Sequence, residues 1–144
     1  MNTELDTQGI ARGILRAVSD DELILAISGT DYQLHLMPGV PASDITTPVG
    51  RRVKGMIEGN ALRIHPAEGG GKFIEPVYGA PRIVAGTVLH ANERQRRALI
   101  DVSVPIWVNT ERGQDFDVLR EGALVNFYVA SGMTFTPTDA APVT

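Results

Sequence analysis

The chain has 144 residues, enough for one ordinary domain or two very small ones, and its 43% hydrophobic and 21% charged residues make a foldable composition, not a disordered one. Thirteen Lys+Arg against 17 Asp+Glu give a net charge of −4, which excludes a uniformly basic nucleic-acid binder. The absence of cysteine excludes disulfides, thiolate catalysis and Cys-ligated metal centres.

Met1 to Gln8 is polar and acidic, without the positive start and apolar stretch of a signal peptide. No apolar run approaches the roughly 18–20 residues of a membrane helix, so a cytoplasmic protein without membrane contact is expected. From Ile10 the chain reads as strands. Ile10–Leu15, centred on Gly13, is followed by the acidic turn Ser19-Asp20-Asp21-Glu22 and the apolar run Leu23–Ile27. In Tyr32–Met37, Tyr32, Leu34 and Leu36 alternate with polar or flexible residues, as in a strand with one face on a core. Ser43–Thr47 is a weak crossover turn, limited by Pro48 and Gly50. Val53, Gly55 and Ile57 then form the inward phase of another strand, and Ala61–Pro66 follows.

Glu68-Gly69-Gly70-Gly71-Lys72 reads as a flexible joint, and Pro76, Gly79 and Pro81 prevent a long helix after it. The intervening Phe73–Tyr78 is too apolar for a free linker and is expected to pack on one or both halves. The first pattern then returns. Ile83–Val88 carries Gly86, a spacing of 73 from Gly13, and leads to the polar tip Asn92–Arg97. Ala98–Val104, Ile106–Asn109, a short turn Asp115–Glu121 stopped by Gly122, and the closing runs Gly122–Val129 and Met133–Pro137 complete the second copy.

Each copy thus has three strands, a short crossover and two more strands, the order of an OB-fold barrel. Gly13 and Gly86 sit where a first strand must bend and a side chain would obstruct. The expectation is an all-β chain of two tandem small five-stranded OB-like barrels, residues 9–67 and 82–137, joined by a Gly/Pro-rich connector at 68–81. An SH3-like barrel is the competing fold.

On these residues the chain resembles tandem OB-type repeats of the molbindin (Mop) and TOBE kind. The closing step Leu119-Arg120-Glu121-Gly122-Ala123-Leu124-Val125 carries the resemblance most closely, and Pro48-Val49-Gly50-Arg51-Arg52-Val53 is a looser counterpart. The resemblance implies oxyanion binding through hydroxyl and backbone groups near the crossover. At those positions this chain has Pro38-Gly39-Val40-Pro41 and Thr110-Glu111-Arg112-Gly113.

Catalytic constellations are not evident. His35, His65 and His90 fall at no metal-ligand spacing, and Asp20, Asp21 and Glu22 share one hydrated tip. Gly69-Gly70-Gly71-Lys72 lacks the spacing and the following helix of a phosphate loop. Asp115 and Asp117 suit capping of the crossover turn. Two basic clusters remain as candidate anion or nucleic-acid ligands: Arg51, Arg52 and Lys54 at the fourth strand, and Arg94, Arg96 and Arg97 on the first hairpin tip of the second copy. Tyr128 has the outward phase and is the candidate stacking residue, whereas Tyr32, Trp107 and Phe127 read as core. The opposite charge of the two hairpin tips permits self-association. The expected function is a non-catalytic binding or assembly module without cofactor, holding a protein partner or a small anion at loops. Weak nucleic-acid binding and molbindin-like oxyanion binding are the alternatives.

Overall fold

A computed structural model describes residues 8–69 and 71–138. The tails expected to be loosely ordered, and Gly70 of the joint, fall wholly or largely outside those residues. The alternating runs form strands with one face inward: β1 (Ala11–Val18), β2 (Leu23–Ile27), β3 (Gln33–Pro38) and the 15-residue β4 (Arg52–Pro66). The connector contributes the short β5 (Phe73–Glu75) and β6 (Tyr78–Gly79). The second half adds β7 (Ile83–Asn92), β8 (Arg97–Asp101), β9 (Pro105–Thr110), β10 (Leu124–Val129) and β11 (Thr134–Pro137). The crossovers tighten into 3₁₀ turns at Ala42–Asp44 and Phe116–Val118. Asp115 caps the latter, its side chain accepting from the Asp117 N–H, and Gly122 has φ +85°.

All eleven strands belong to one mixed sheet. The partners are not those of two independent halves. β1 pairs with β2, β2 with β3, and β4 with β1, all antiparallel. The gap between β3 and β4 is filled by β11, parallel to β3 and antiparallel to β4, although β11 closes the second half. Correspondingly, β7 pairs with β8, β8 with β9, and β10 with β7. Here the gap between β9 and β10 is filled by the C-terminal part of β4, parallel to β9 over Glu58–Ala61 and antiparallel to β10 over Ala61–Pro66. Each circuit therefore takes one strand from the other half. In both, the borrowed strand lies parallel to the third strand of its host.

β4 belongs to both circuits. At about 3.3 Å per residue its 15 residues span roughly 50 Å, long enough to run from one to the other. Two glycines permit the passage. A Cβ on Gly55 would meet the Thr136 carbonyl oxygen and the Phe135 ring, and one on Gly59 would lie 2.8 Å from Met133 Cε. The hydrophobic core is likewise shared: one cluster joins Leu15, Leu25, Leu34 and Ile57 to Ile100, Val108, Phe127 and Phe135. The connector packs as its apolar composition requires. β5 extends the second circuit through β7, β6 extends the first through β3, and Tyr32 Oη accepts the Ile74 N–H at 3.0 Å.

Gly13 and Gly86 occupy matching places. A Cβ on Gly13 would fall on the Ala26 carbonyl oxygen; on Gly86 it would lie 2.6 Å from Ile100 Cγ2 and 2.7 Å from the Asp101 carbonyl oxygen. Backbone oxygens cannot yield as a flexible side chain can, so both positions exclude a side chain.

Two outcomes are expected. Expressed separately, residues 1–68 and 74–144 should each fail to give a cooperative thermal transition as monomers, whereas the mixture should recover one, read by circular dichroism. Gly13→Ala should lower stability by about 1–3 kcal/mol through overpacking, while Gly69→Ala, with nothing within 4 Å of its added Cβ, should be neutral in the same denaturant titration.

Candidate functional site

The antiparallel β1–β4 ladder sets Arg12 directly opposite Lys54 and Ile14 opposite Arg52. Arg12, Arg52 and Lys54 are exposed, with Val53, Gly55 and Ala11 turned inward. Arg52 and Lys54, two residues apart on one strand face, are separated by roughly 6.6 Å along the strand. The register shift between Leu15 and Ala17 makes a bulge at Arg16, which is also exposed. Arg51 adjoins it: its carbonyl accepts the Leu15 N–H at 3.1 Å and its side chain is exposed.

Three of the 13 Lys and Arg residues of an overall acidic chain, Arg12, Arg52 and Lys54, therefore share this face, and two more, Arg16 and Arg51, are exposed at its edge. None has a carboxylate at ion-pair distance among the described residues. Half-buried Ile14 lies opposite Arg52, and half-buried Met56 follows Lys54 in the same outward phase. Like charges placed directly opposite across a ladder are destabilising. The Arg12–Lys54 pair is such an arrangement, unrelieved by any neighbouring acid among the described residues.

The Arg94, Arg96 and Arg97 cluster is divided by the fold. Arg94 is exposed in the β7–β8 turn. Arg96, at φ +54°, turns back onto the protein. Its Nη2 donates to the carbonyl oxygens of Glu111 at 2.7 Å and Gln114 at 2.9 Å, and its guanidinium lies over the Phe116 ring at 5.3 Å. It thereby fastens the second crossover. Arg97 lies 4.4 Å over the Trp107 ring, pairs with Glu58 at 3.3 Å and donates to Met56 Sδ. Of this cluster, only Arg94 directs its charge to solvent.

Trp107, expected in the core, is half-buried on the outward face of β9 beneath Arg97; the inward places of β9 belong to Ile106, Val108 and Thr110. The indole edge is covered by the Gly9 backbone, where a Cβ would lie 2.6 Å from Nε1. Phe127 is buried, and Tyr32 is half-buried at the connector. Tyr128 is 49% exposed on β10, between Leu62 of β4 and Ile83 of β7. It belongs to the second circuit, away from the β1–β4 cations. Beside Ile83 is an open depression of about 470 Å³ lined also by Glu75, Pro76 and Arg82.

The histidines do not converge. His35 Nδ1 is 3.5 Å from Glu22 Oε1, His90 Nδ1 is 3.7 Å from Glu121 Oε1, and His65 is exposed on β4. No group of three or more His, Asp or Glu residues could hold a metal ion among the described residues. Nor does any helix among them have the length and apolarity to cross a membrane.

Two cations essential to the β1–β4 face, Arg12 and Arg16, were not distinguishable as site residues in sequence, since no other base adjoins them there. Their outward phase on β1 and the pairing of β1 with β4 together reveal them. No protein-family model, curated protein or solved structure matches the chain.

The division of the tip cluster has a measurable consequence. Arg96→Ala should destabilise the protein by about 2–3 kcal/mol through loss of charge-assisted bonds to two carbonyls, whereas Arg94→Ala should stay within about 0.5 kcal/mol of the parent in urea unfolding.

Proposed function

We propose that the protein is a non-catalytic docking module that binds an acidic segment of a protein partner on the β1–β4 face. The observation that carries this is the set of five exposed cations, Arg12, Arg16, Arg51, Arg52 and Lys54, without a compensating carboxylate among the described residues. An anion supplied from outside relieves the repulsion between them and gains from all five. The apolar ground of Ile14 and Met56 favours a polypeptide, which brings apolar side chains with its carboxylates. A single-stranded nucleic acid requires aromatic platforms; β1 and β4 carry no Phe, Tyr or Trp, and Trp107 alongside on β9 is covered by Arg97.

We also propose that each pairing circuit is a small OB-like barrel with its fifth strand exchanged. The supporting order is first, second, third, borrowed, fourth and back to first in both circuits, with the borrowed strand parallel to the third. In such a barrel the interior is filled by its own side chains, so ligands meet the outside. This is consistent with Leu25, Leu34, Ile57 and Phe135 filling the inward positions of the first circuit.

The test is retention on immobilised poly-glutamate and on heparin at about 50 mM salt, where surface charges are weakly screened. The parent protein is expected to be held by both and released as salt rises. Arg52→Gln/Lys54→Gln should elute at clearly lower salt with an unchanged melting profile. Failure of either resin to hold the parent overturns the proposal. Binding of a single-stranded oligonucleotide together with silence toward poly-glutamate assigns the face to nucleic acid instead.

A further inference from the structure

We infer that the acidic partner of the β1–β4 face is a second copy of this chain, docked through the β3–β6 side of its first circuit. This rests on the docking function proposed for the cationic face and names its occupant. Exposed large hydrophobic side chains gather on the β3–β6 side. Of the five exposed among the described residues, three belong to it: Met37 at 46%, Val77 at 48% and Tyr78 at 62%. β6 pairs with β3, the Val77 carbonyl accepts the Gln33 N–H, and Tyr78 meets the His35 ring edge-on at 5.4 Å. A shallow groove of about 130 Å³ opens alongside, lined in part by Asp21, Glu22, His35, Met37, Ala80 and Met133. Apolar exposure concentrated around a groove with charged edges is the form of a protein-docking surface.

The rim of this surface is acidic. Asp20, Asp21 and Glu22 are consecutive and exposed in the β1–β2 turn, and among the described residues their only ion pair is that of Glu22 with His35. The same chain thus carries an apolar patch rimmed by cations, Ile14 and Met56 among Arg12, Arg16, Arg52 and Lys54, and an apolar groove rimmed by acids. The two match in sign and in character.

They are also separated around the first circuit. β3 is two strands from β1 through β2 and two strands from β4 through β11. The acidic turn itself continues from β1, but the apolar groove beside β3 is held away from the β1–β4 face by these ladders and cannot close over it within one chain. A contact between two copies is heterologous, and each added copy leaves one face of each kind unfilled, so association continues beyond two.

The experiment is sedimentation equilibrium of the full chain from about 10 µM to about 1 mM, at about 50 mM and about 1 M salt. The weight-average mass is expected to rise past that of a dimer at low salt and to return toward the monomer at high salt. Two variants separate the faces: Asp20→Asn/Asp21→Asn/Glu22→Gln neutralises the acidic rim, and Arg16→Gln/Arg52→Gln/Lys54→Gln removes three of the five cations of the cationic face. Each alone should stay monomeric. Their mixture retains one parental contact and should form a complex that stops at one copy of each.

A parent that is monomeric throughout overturns the inference, as does an assembly that stops at a symmetric dimer or is indifferent to the acidic-rim variant. Retention on poly-glutamate by a monomeric parent leaves the docking function standing with a foreign partner. Absence of both removes the two together. The acidic-rim variant should still bind poly-glutamate, which distinguishes loss of the docking groove from loss of fold.

Discussion

The structure depends on the shared use of β4. A strand of ordinary length satisfies its backbone groups against two neighbours; this one meets β1 and β11 along its first part and β9 and β10 along its second. Between them the four partners use both of its edges. Small residues make the transfer between circuits sterically possible, because Gly55 and Gly59 pass under Phe135 and Met133 without a Cβ to obstruct them. β11 makes the reciprocal contribution, and its Phe135 is fully buried in the core of the half that does not encode it. The two halves consequently share hydrogen bonds and apolar burial, and neither encloses its inward residues alone.

The constraint also determines where chemistry is available. Inward positions are committed to packing, and much of the second hairpin tip is committed to holding the second crossover. Arg96 bonds carbonyls of residues 111 and 114, and Arg97 stacks on Trp107. The β1–β4 ladder has no such obligation. The antiparallel pairing fixes the backbone positions from which its outward side chains project. Arg12, Arg52 and Lys54 therefore keep their charges outward, whereas Arg96 and Arg97 of the tip are engaged internally.

The all-β character and most strand positions were legible in the sequence because a period of two identifies which face of a strand is apolar, although the two closing runs of the first half join into the single β4. The paired roles of Gly13 and Gly86 were legible for a related reason: a glycine within an apolar run has no packing value of its own. Exchange was not legible. Periodicity specifies the face that a strand buries, not the neighbour to which its edges bond, and β11 satisfies the same pattern in either half. The cationic face was half visible. Arg51, Arg52 and Lys54 adjoin in sequence, whereas Arg12 and Arg16 join them only across a ladder. Trp107 was misplaced because hydrophobicity alone favours the core, while the indole in fact occupies the outward phase of β9 beneath a guanidinium.

One register has a practical corollary. Ala11 and Pro137 both lie opposite Gly55 of β4, on its two edges. Ala11 and Pro137 therefore flank β4, about 10 Å apart across it, and both are far along the chain from the joint near Gly69. A short tether between them would close the polypeptide into a ring, and reopening it at the joint would yield a circular permutant in which every strand keeps its partners.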